Sequence, residues 1–190
     1  MTIIEKTDRF TVNTENGICG VHIKYPFFEN CKSAKALNNF FKKAVCGYTE
    51  YVKKNAQGGE IFSFDTPNIS QNGELCSIFF EKSVKRGRYI TSYTPFSLTF
   101  SEKNGRPLSL LSVCQSSADS YIKVRKTAEK HGVKLSFSKF SKRFYVSENG
   151  IIVYFSVFEH DKGFRKTCEC VKKIYLSSGS IPNFSSTDKK

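Results

Sequence analysis

Apolar and polar residues alternate along two stretches near the N terminus. In residues 18–25 the apolar positions recur at every second residue, which is typical of a strand with one buried face. Residues 10–13 form a shorter stretch of the same kind, and the turn between the two contains Gly17, which can adopt a positive φ. The pattern predicts a hairpin, and we expect Pro26 to end its second strand.

Two other stretches carry apolar residues at helical spacing. Residues 33–55 have a stripe with a period of three to four, which predicts an amphipathic helix. Gly47 lies inside this pattern and costs a helix about 1 kcal/mol relative to alanine, so a kink there would be unsurprising. A second helix is predicted over residues 116–131, because Gly132 follows it in a position that suits a helix end.

A long hairpin is predicted in the middle of the chain. Residues 74–85 and 88–101 are rich in aromatic and β-branched residues and flank a glycine-containing turn. Pro95 cannot donate a ladder hydrogen bond, so the second arm is expected to lie at a sheet edge or to contain a bulge. Before this hairpin, residues 61–64 predict a short strand and residues 65–73 predict a loop.

The C-terminal third predicts three more strands and a tail. Residues 144–147 and 151–158 flank a Glu-Asn-Gly turn, and residues 164–175 alternate loosely. Residues 177–190 are rich in serine and end in two lysines, a composition typical of disorder. We therefore expect one α+β domain over residues 1–176, with a mainly antiparallel sheet and the two packed helices, followed by a disordered tail.

Charge and cysteine content narrow the class of protein. The formal net charge of +13 indicates anionic partners, such as nucleic acid or another acidic polymer. The alternative is a solvated lysine-rich surface, since the lysines are spread along the whole chain. Seven cysteines, an odd number, indicate reduced thiols and a reducing compartment rather than a disulfide framework.

No targeting or membrane-spanning segment is evident. Residues 1–9 carry four charges and no apolar core of a signal peptide, and the longest apolar run, residues 151–155, is too short to cross a bilayer. We expect a cytoplasmic protein with no membrane span. An extracytoplasmic location is the alternative if a leader was removed before Met1.

Catalytic motifs are absent from the sequence. It contains no phosphate-binding or dinucleotide-binding glycine loop, no His-Glu-x-x-His pair and no Gly-x-Ser-x-Gly elbow. Cys168 and Cys170 could face one metal from a strand, but a structural zinc needs four ligands and no second pair completes the set. The Glu159-His160-Asp161 triplet lies in a predicted turn. We expect no catalytic, metal or cofactor-binding residue and no cofactor; an unrecognised cysteine nucleophile is the remaining enzymatic alternative.

Two basic regions are the candidates for ligand binding. Residues 123–143 hold many cations against a single acid, with Phe137, Phe140, Phe144 and Tyr145 among them. Cations interleaved with aromatic residues are typical of a single-strand nucleic-acid surface, although these aromatic residues also alternate as core residues of strands would. The second region is the tip of the central hairpin. The candidate residues are Arg86, Arg88, Tyr89, Lys123, Arg125, Lys126, Lys130, Lys139 and Arg143.

Three segments, taken in order, carry a family resemblance. Residues 21–44 (VHIKYPFFENCKSAKALNNFFKKA) form a strand ending in Tyr-Pro, a short loop and a helix with an Asn near its start. Residues 97–113 (SLTFSEKNGRPLSLLSV) and residues 143–158 (RFYVSENGIIVYFSVF) supply a strand–turn–helix start and a strand–turn–strand. The series resembles the extracytoplasmic domain of unknown function that the RsiV anti-sigma factor shares with the PdaC polysaccharide deacetylase.

This resemblance implies an α+β recognition module with two helices on an antiparallel sheet. In the anti-sigma factor the domain senses lysozyme, and in the deacetylase it accompanies a separate catalytic domain that is absent here. The chain departs from the family pattern in lacking a leader and in lacking the family's Gly-Gly-Ala-His stretch at residues 85–89. Its positive charge would also repel a cationic lysozyme, so lysozyme sensing is not carried over.

The sequence therefore predicts a non-catalytic binding module with an anionic ligand. A nucleic-acid-associated protein that acts through residues 123–143 is the alternative. The partner would be an anionic polymer, such as a cell-wall polymer or nucleic acid, or a protein.

Overall fold

The computed structural model describes residues 1–114, 117–156 and 171–176. Its elements are strands interrupted first by one long helix and later by three shorter helices. In chain order they are β1 Thr2–Thr14, β2 Gly17–Glu29, α1 Ala34–Asn55, β3 Glu60–Asn72, β4 Leu75–Arg86, β5 Tyr89–Ser101, α2 Leu110–Val113, α3 Ser117–Lys130, α4 Phe137–Phe140, β6 Phe144–Ser147, β7 Gly150–Ser156 and β8 Val171–Leu176.

The strands form two sheets, and the predicted α+β class is confirmed. The larger sheet has the order β1-β2-β3-β4-β5, and the smaller has the order β6-β7-β8. Neighbouring strands are antiparallel except for β2 and β3. That parallel pair requires a crossover connection, which α1 supplies. Strand β6 pairs with β7, and the smaller sheet packs against the larger one through side chains that include Phe79 and Tyr145.

Helix α1 covers one face of the five-stranded sheet. Its buried residues Leu37, Phe41, Tyr48 and Val52 recur at helical spacing and contact a core of phenylalanine and aliphatic side chains from the sheet. The helix runs without a break through Gly47. Lys53 and Lys54 occupy its last turn, where positive charge complements the helix dipole.

Two proline-containing segments differ from the sequence expectation. Residues 65–73 belong largely to β3 rather than to a loop, and a register shift between Asp65 and Asn68 accommodates Pro67. Pro26 lies inside β2 instead of ending it. The backbone groups of Lys24 and Phe28, two residues to either side, bond away from β1, so the Pro26 nitrogen also faces away from β1. On that side β2 pairs with β3 only over residues 20–23, so the missing N–H leaves no ladder partner unpaired.

The central hairpin agrees closely with its prediction. Strands β4 and β5 begin and end within one residue of the expected bounds and meet at the expected turn. Pro95 lies on β5, the outermost strand of the larger sheet, as its missing donor requires. The second predicted helix corresponds to α3. The short helices α2 and α4 were not foreseen as separate elements.

The smaller sheet is fastened to the larger one by hydroxyl groups. Ser77 of β4 is fully buried, accepts a hydrogen bond from the Val146 backbone N–H at 2.9 Å and lies 2.7 Å from the Thr99 hydroxyl. Ser70 donates to the carbonyl oxygen of Val146. Because β6 is an edge strand, these side chains satisfy backbone groups that a neighbouring strand would otherwise pair.

Part of the C-terminal prediction lies outside the described residues. Strands β6 and β7 match the expected pair up to residue 156, and β8 is the end of the strand expected over residues 164–175. Cys168 and Cys170, the Glu159-His160-Asp161 triplet and the tail at 177–190 lie outside the described residues. None of the described helices is long and apolar enough to cross a membrane.

Candidate ligand-binding groove

An open groove lies between α1 and the hairpin of β4 and β5. Its volume is about 320 Å³. We call it the Lys82 groove, because Lys82 on β4 supplies its only charged lining side chain among the described residues. The lining residues are Gly47, Tyr48, Tyr51, Lys82, Ser83, Val84, Ser92 and Thr94.

Strand pairing places the polar groups of the groove side by side. Lys82 pairs with Thr94, and Val84 pairs with Ser92, so these four side chains share the face that α1 partly covers. Strand β5 is the edge of the sheet, and the helix packs over the strands nearer the centre. The groove is therefore the gap between the helix and the sheet edge.

Aromatic rings surround the Lys82 ammonium. The Nζ atom lies 5.2 Å from the ring centroid of Phe96, 5.4 Å from that of Tyr48 and 5.6 Å from that of Phe64. Each distance falls within the range of a cation–π interaction. In the part of the chain that the structure describes, the Lys82 ammonium forms no ion pair and no hydrogen bond. Its positive charge is therefore balanced by ring faces and not by a carboxylate.

Burial affects the protonation of both polar groups at the base of the groove. It lowers the pKa of Lys82, because partial removal from water disfavours the charged ammonium. Burial raises the pKa of Tyr48, whose hydroxyl donates a 2.9 Å hydrogen bond to the Ser63 carbonyl oxygen. Tyr48 thus stays a neutral, fixed wall of the groove, while an anion beside Lys82 would recover the solvation that its ammonium has lost.

Gly47 and Tyr51 form the helix side of the groove. They lie four residues apart and therefore on the same face of α1. A Cβ added to Gly47 would meet no atom within 4 Å, so the glycine leaves this side open. Tyr51 is 47% exposed and stacks at 6.1 Å on Tyr48. Its ring gives a flat, accessible surface in the same groove as Lys82.

These residues were not among the sequence candidates. The available signal was the alternation in β4, where Lys82 follows Ile78 and Phe80 on the buried face and precedes Val84. A lysine in such a row is unusual, since lysine is rarely buried unless it is paired. Gly47 within a long helix was the second signal.

The three candidates at the hairpin tip have different environments. Arg86 binds the buried Glu60 carboxylate at 3.0 Å, and that carboxylate also accepts from the Gln57 backbone N–H. Its guanidinium therefore joins the end of α1 to β3 and serves the fold. Arg88 is exposed and Tyr89 is 49% exposed at the tip itself.

The structure brings three candidates of the basic region at residues 123–143 together. Lys123, Lys126 and Lys130 are exposed and share the face of α3 opposite the buried Val124 and Ala128. The other candidates lie apart from this face, with Arg125 bound to Glu129 at 2.8 Å on the flank of α3, Lys139 exposed in α4 and Arg143 half-buried before β6.

The aromatic residues interleaved with these cations serve mainly the core. Phe140, Phe144 and Tyr145 are buried, and Phe137 is 42% exposed. Stacking on bases requires exposed rings, so the core alternative holds for three of the four. Among the described cysteines, burial raises the pKa of Cys76 to about 12, opposite to the change that activates a thiol nucleophile.

No protein-family model matches the sequence, and no curated protein matches it at a significant level. Two of the solved structures that are similar to this fold are DUF3298 family proteins. A member of the DUF3298 family from Bacteroides fragilis matches with a TM-score of 0.58 and 12% identity, over 93% of this chain and 90% of that one. A DUF3298 family protein from Pseudomonas aeruginosa matches with a TM-score of 0.56 and 8% identity, over the same shares of the two chains.

At these identities the likeness concerns the fold and not individual site residues. It covers 93% of this chain and 90% of each of the two similar chains. The protein is thus similar in fold to the domains of unknown function of the DUF3298 family.

Proposed function

We propose that this protein is a non-catalytic binding module whose ligand presents an anionic group to Lys82. The observation that carries the proposal is a half-buried ammonium, surrounded by rings, that no described carboxylate neutralises. A charge that is partly buried without a partner costs free energy. Its presence at an open groove therefore indicates a binding site.

The groove also specifies what accompanies the anionic group. Tyr51 offers an exposed ring surface in the same groove as Lys82, and the Ser92 and Thr94 hydroxyls can donate to further oxygens. A flat apolar or aromatic moiety bearing a carboxylate or phosphate fits this arrangement. The net charge of +13 favours the approach of such a ligand over the whole surface.

The resemblance to the RsiV/PdaC-like domain points to the same class of activity. We propose that the chain belongs to that kind of recognition module, with a ligand suited to Lys82 in place of lysozyme. The order of the three quoted segments supports this. So does Asn38 near the start of α1, whose amide bonds both the N–H and the carbonyl oxygen of Phe28.

The nucleic-acid alternative is supported by one feature. Lys123, Lys126 and Lys130 form a continuous basic face on α3, which could follow a phosphate backbone. The burial of Phe140, Phe144 and Tyr145 removes most of the stacking surface that this alternative relied on. Nucleic-acid binding through α3 stays a prediction, and we favour anion binding in the Lys82 groove.

Benzoate and benzamide test the proposal, because they have the same shape and differ in charge. We expect benzoate to bind with a Kd of about 1 mM, typical of a fragment, and benzamide to bind more weakly. In Lys82→Met we expect benzoate affinity to fall at least about tenfold, to the level of benzamide, because one charge-assisted contact is lost. Titrations followed by protein NMR measure both ligands.

Lys43→Met is the matched control, because Lys43 is exposed on α1 outside the groove and its loss removes the same charge. It should keep the preference for benzoate. We also expect the free energy of unfolding of Lys82→Met to lie within about 1 kcal/mol of the wild-type value, because methionine preserves the packing and carries no charge to desolvate. Equal binding of benzoate by Lys82→Met and the wild type would refute the proposal.

A further inference from the structure

Strand β1 is a long, open edge of the five-stranded sheet. It runs for 13 residues and pairs with β2 in an unbroken register. No described strand pairs with its outer side, and residues 5–9 are all exposed. Sheet edges of this length usually carry a feature that blocks pairing with another chain.

The opposite edge of the sheet does carry such features. Strand β5 contains Pro95, which has no backbone donor, and its register with β4 shifts between Val84 and Lys85. Proline and bulges are common means of preventing edge-to-edge pairing. Strand β1 has neither a proline nor a register shift.

Hydrogen bonds on the far side of β2 reveal which backbone groups of β1 point outward. Both backbone groups of Phe28 bond to Asn38, and the Lys24 carbonyl oxygen accepts from the Thr66 hydroxyl. These even-numbered residues of β2 therefore direct their backbone groups away from β1.

The residues opposite them on β1 have the complementary orientation. Ile3 faces Phe28, and Thr7 faces Lys24. In an antiparallel ladder, both members of such a pair direct their N–H and C=O groups away from each other. The odd-numbered residues of β1, Thr7 among them, thus present free donors and acceptors along the open edge.

The charged residues on either side of Thr7 would face opposite charges if two copies of β1 paired antiparallel. The sequence is Glu5-Lys6-Thr7-Asp8-Arg9. If a second β1 lies antiparallel with Thr7 opposite Thr7, Glu5 faces Arg9 and Lys6 faces Asp8. The neighbouring registers, centred on Lys6 or on Asp8, place like charges opposite each other, which is unfavourable.

The register centred on Thr7 also satisfies the backbone. It pairs odd-numbered residues with odd-numbered residues, whose N–H and C=O groups point to the open edge, so a hydrogen-bonded ladder can form. Asp8 and Arg9 form no ion pair with any other described residue. Both charges are available to a partner.

We propose that β1 is a homodimerisation strand that pairs antiparallel with β1 of a second copy about a two-fold axis at Thr7. The pairing joins the two five-stranded sheets into one continuous sheet and closes both open edges. A two-fold contact requires a surface complementary to itself, which this charge order provides. The Lys82 groove lies beside β5, at the opposite edge of the sheet, and remains open in both copies.

Charge-reversing substitutions at Glu5 and Arg9 test the strand pairing and its register. A single pair of strands buries little surface, so we expect a dimer with a Kd of about 10 µM, measured by sedimentation equilibrium. Glu5→Arg and Arg9→Glu each place like charges opposite one another twice and should weaken the dimer about 10-fold to 100-fold. The double variant with both changes restores opposite charges and should dimerise like the wild type.

Amide hydrogen exchange supplies an independent readout. On raising the protein concentration, exchange should slow at Glu5, Thr7 and Arg9 and stay unchanged at Lys6 and Asp8. Circular dichroism confirms that the single variants are folded. The proposal is overturned if the wild type stays monomeric well above the expected Kd, at about 300 µM, if the single variants dimerise as well as the wild type, or if the double variant stays monomeric.

Discussion

Gly58→Ala is expected to destabilise the protein by about 3 kcal/mol, combining a strained backbone angle with a steric clash. Gly58 follows α1 at a φ of +106°. An added Cβ would lie 2.5 Å from the carbonyl oxygen of Asn16. The atom it meets is backbone in the β1–β2 turn, so a rotamer change cannot relieve the clash.

Gly59→Ala provides a matched control for this prediction. Gly59 also has a positive φ, of +71°, but an added Cβ would have no atom within 4 Å. We expect a loss of only about 1 kcal/mol, from backbone strain alone. Urea unfolding measures both variants, and an equal loss in the two would show that the contact with Asn16 is not a constraint on the fold.

Gly47→Leu is expected to stabilise α1 and at the same time to weaken benzoate binding. Leucine favours a helix by nearly 1 kcal/mol relative to glycine, and the site has room for a side chain. The same side chain would project into the Lys82 groove and occupy the space beside Tyr51. We expect benzoate affinity to fall at least about 100-fold, since steric exclusion removes the whole binding mode.

Gly47→Ala is the control for the groove variant. It should give a similar gain in helix stability, measured as thermal unfolding, while leaving most of the groove open and benzoate binding within a few-fold of wild type. Unchanged benzoate binding in Gly47→Leu would place the ligand elsewhere.

Local patterns predicted the elements that depend on near neighbours. The β4–β5 hairpin, α1 and α3 follow from periodicity and turn chemistry within single stretches of chain. The strand nature of residues 65–72 does not, because Pro67 and the polar residues around it become a strand only through pairing with β4. The division into two sheets likewise depends on Ser70 and Ser77, whose hydroxyls replace a strand as partners of β6.

The candidate site was less accessible to sequence reasoning than the fold. Clusters of cations in the sequence predict ligand binding at α3 and at the hairpin tip. In the structure, Arg86 at that tip binds Glu60 instead. The Lys82 groove assembles residues from α1, β4 and β5 that are distant in sequence. What distinguishes Lys82 is that three aromatic rings surround its ammonium while no described carboxylate pairs with it, which only the packed structure reveals.

The protonation of Lys82 follows directly from its environment and depends on the ligand. In the free protein its pKa lies below the ordinary lysine value because of burial. A bound anion favours the ammonium and raises this pKa. Benzoate affinity should therefore be constant near neutral pH and fall as pH rises through the lowered pKa, earlier than an exposed lysine would require.

The most direct test is an NMR titration of the lysine side chains labelled at Cε, with and without saturating benzoate. We predict that the pKa of Lys82 lies below the ordinary lysine value in the free protein and rises when benzoate binds. A Lys82 pKa that is the same with and without benzoate would contradict the central claim that this ammonium binds the anionic group of the ligand.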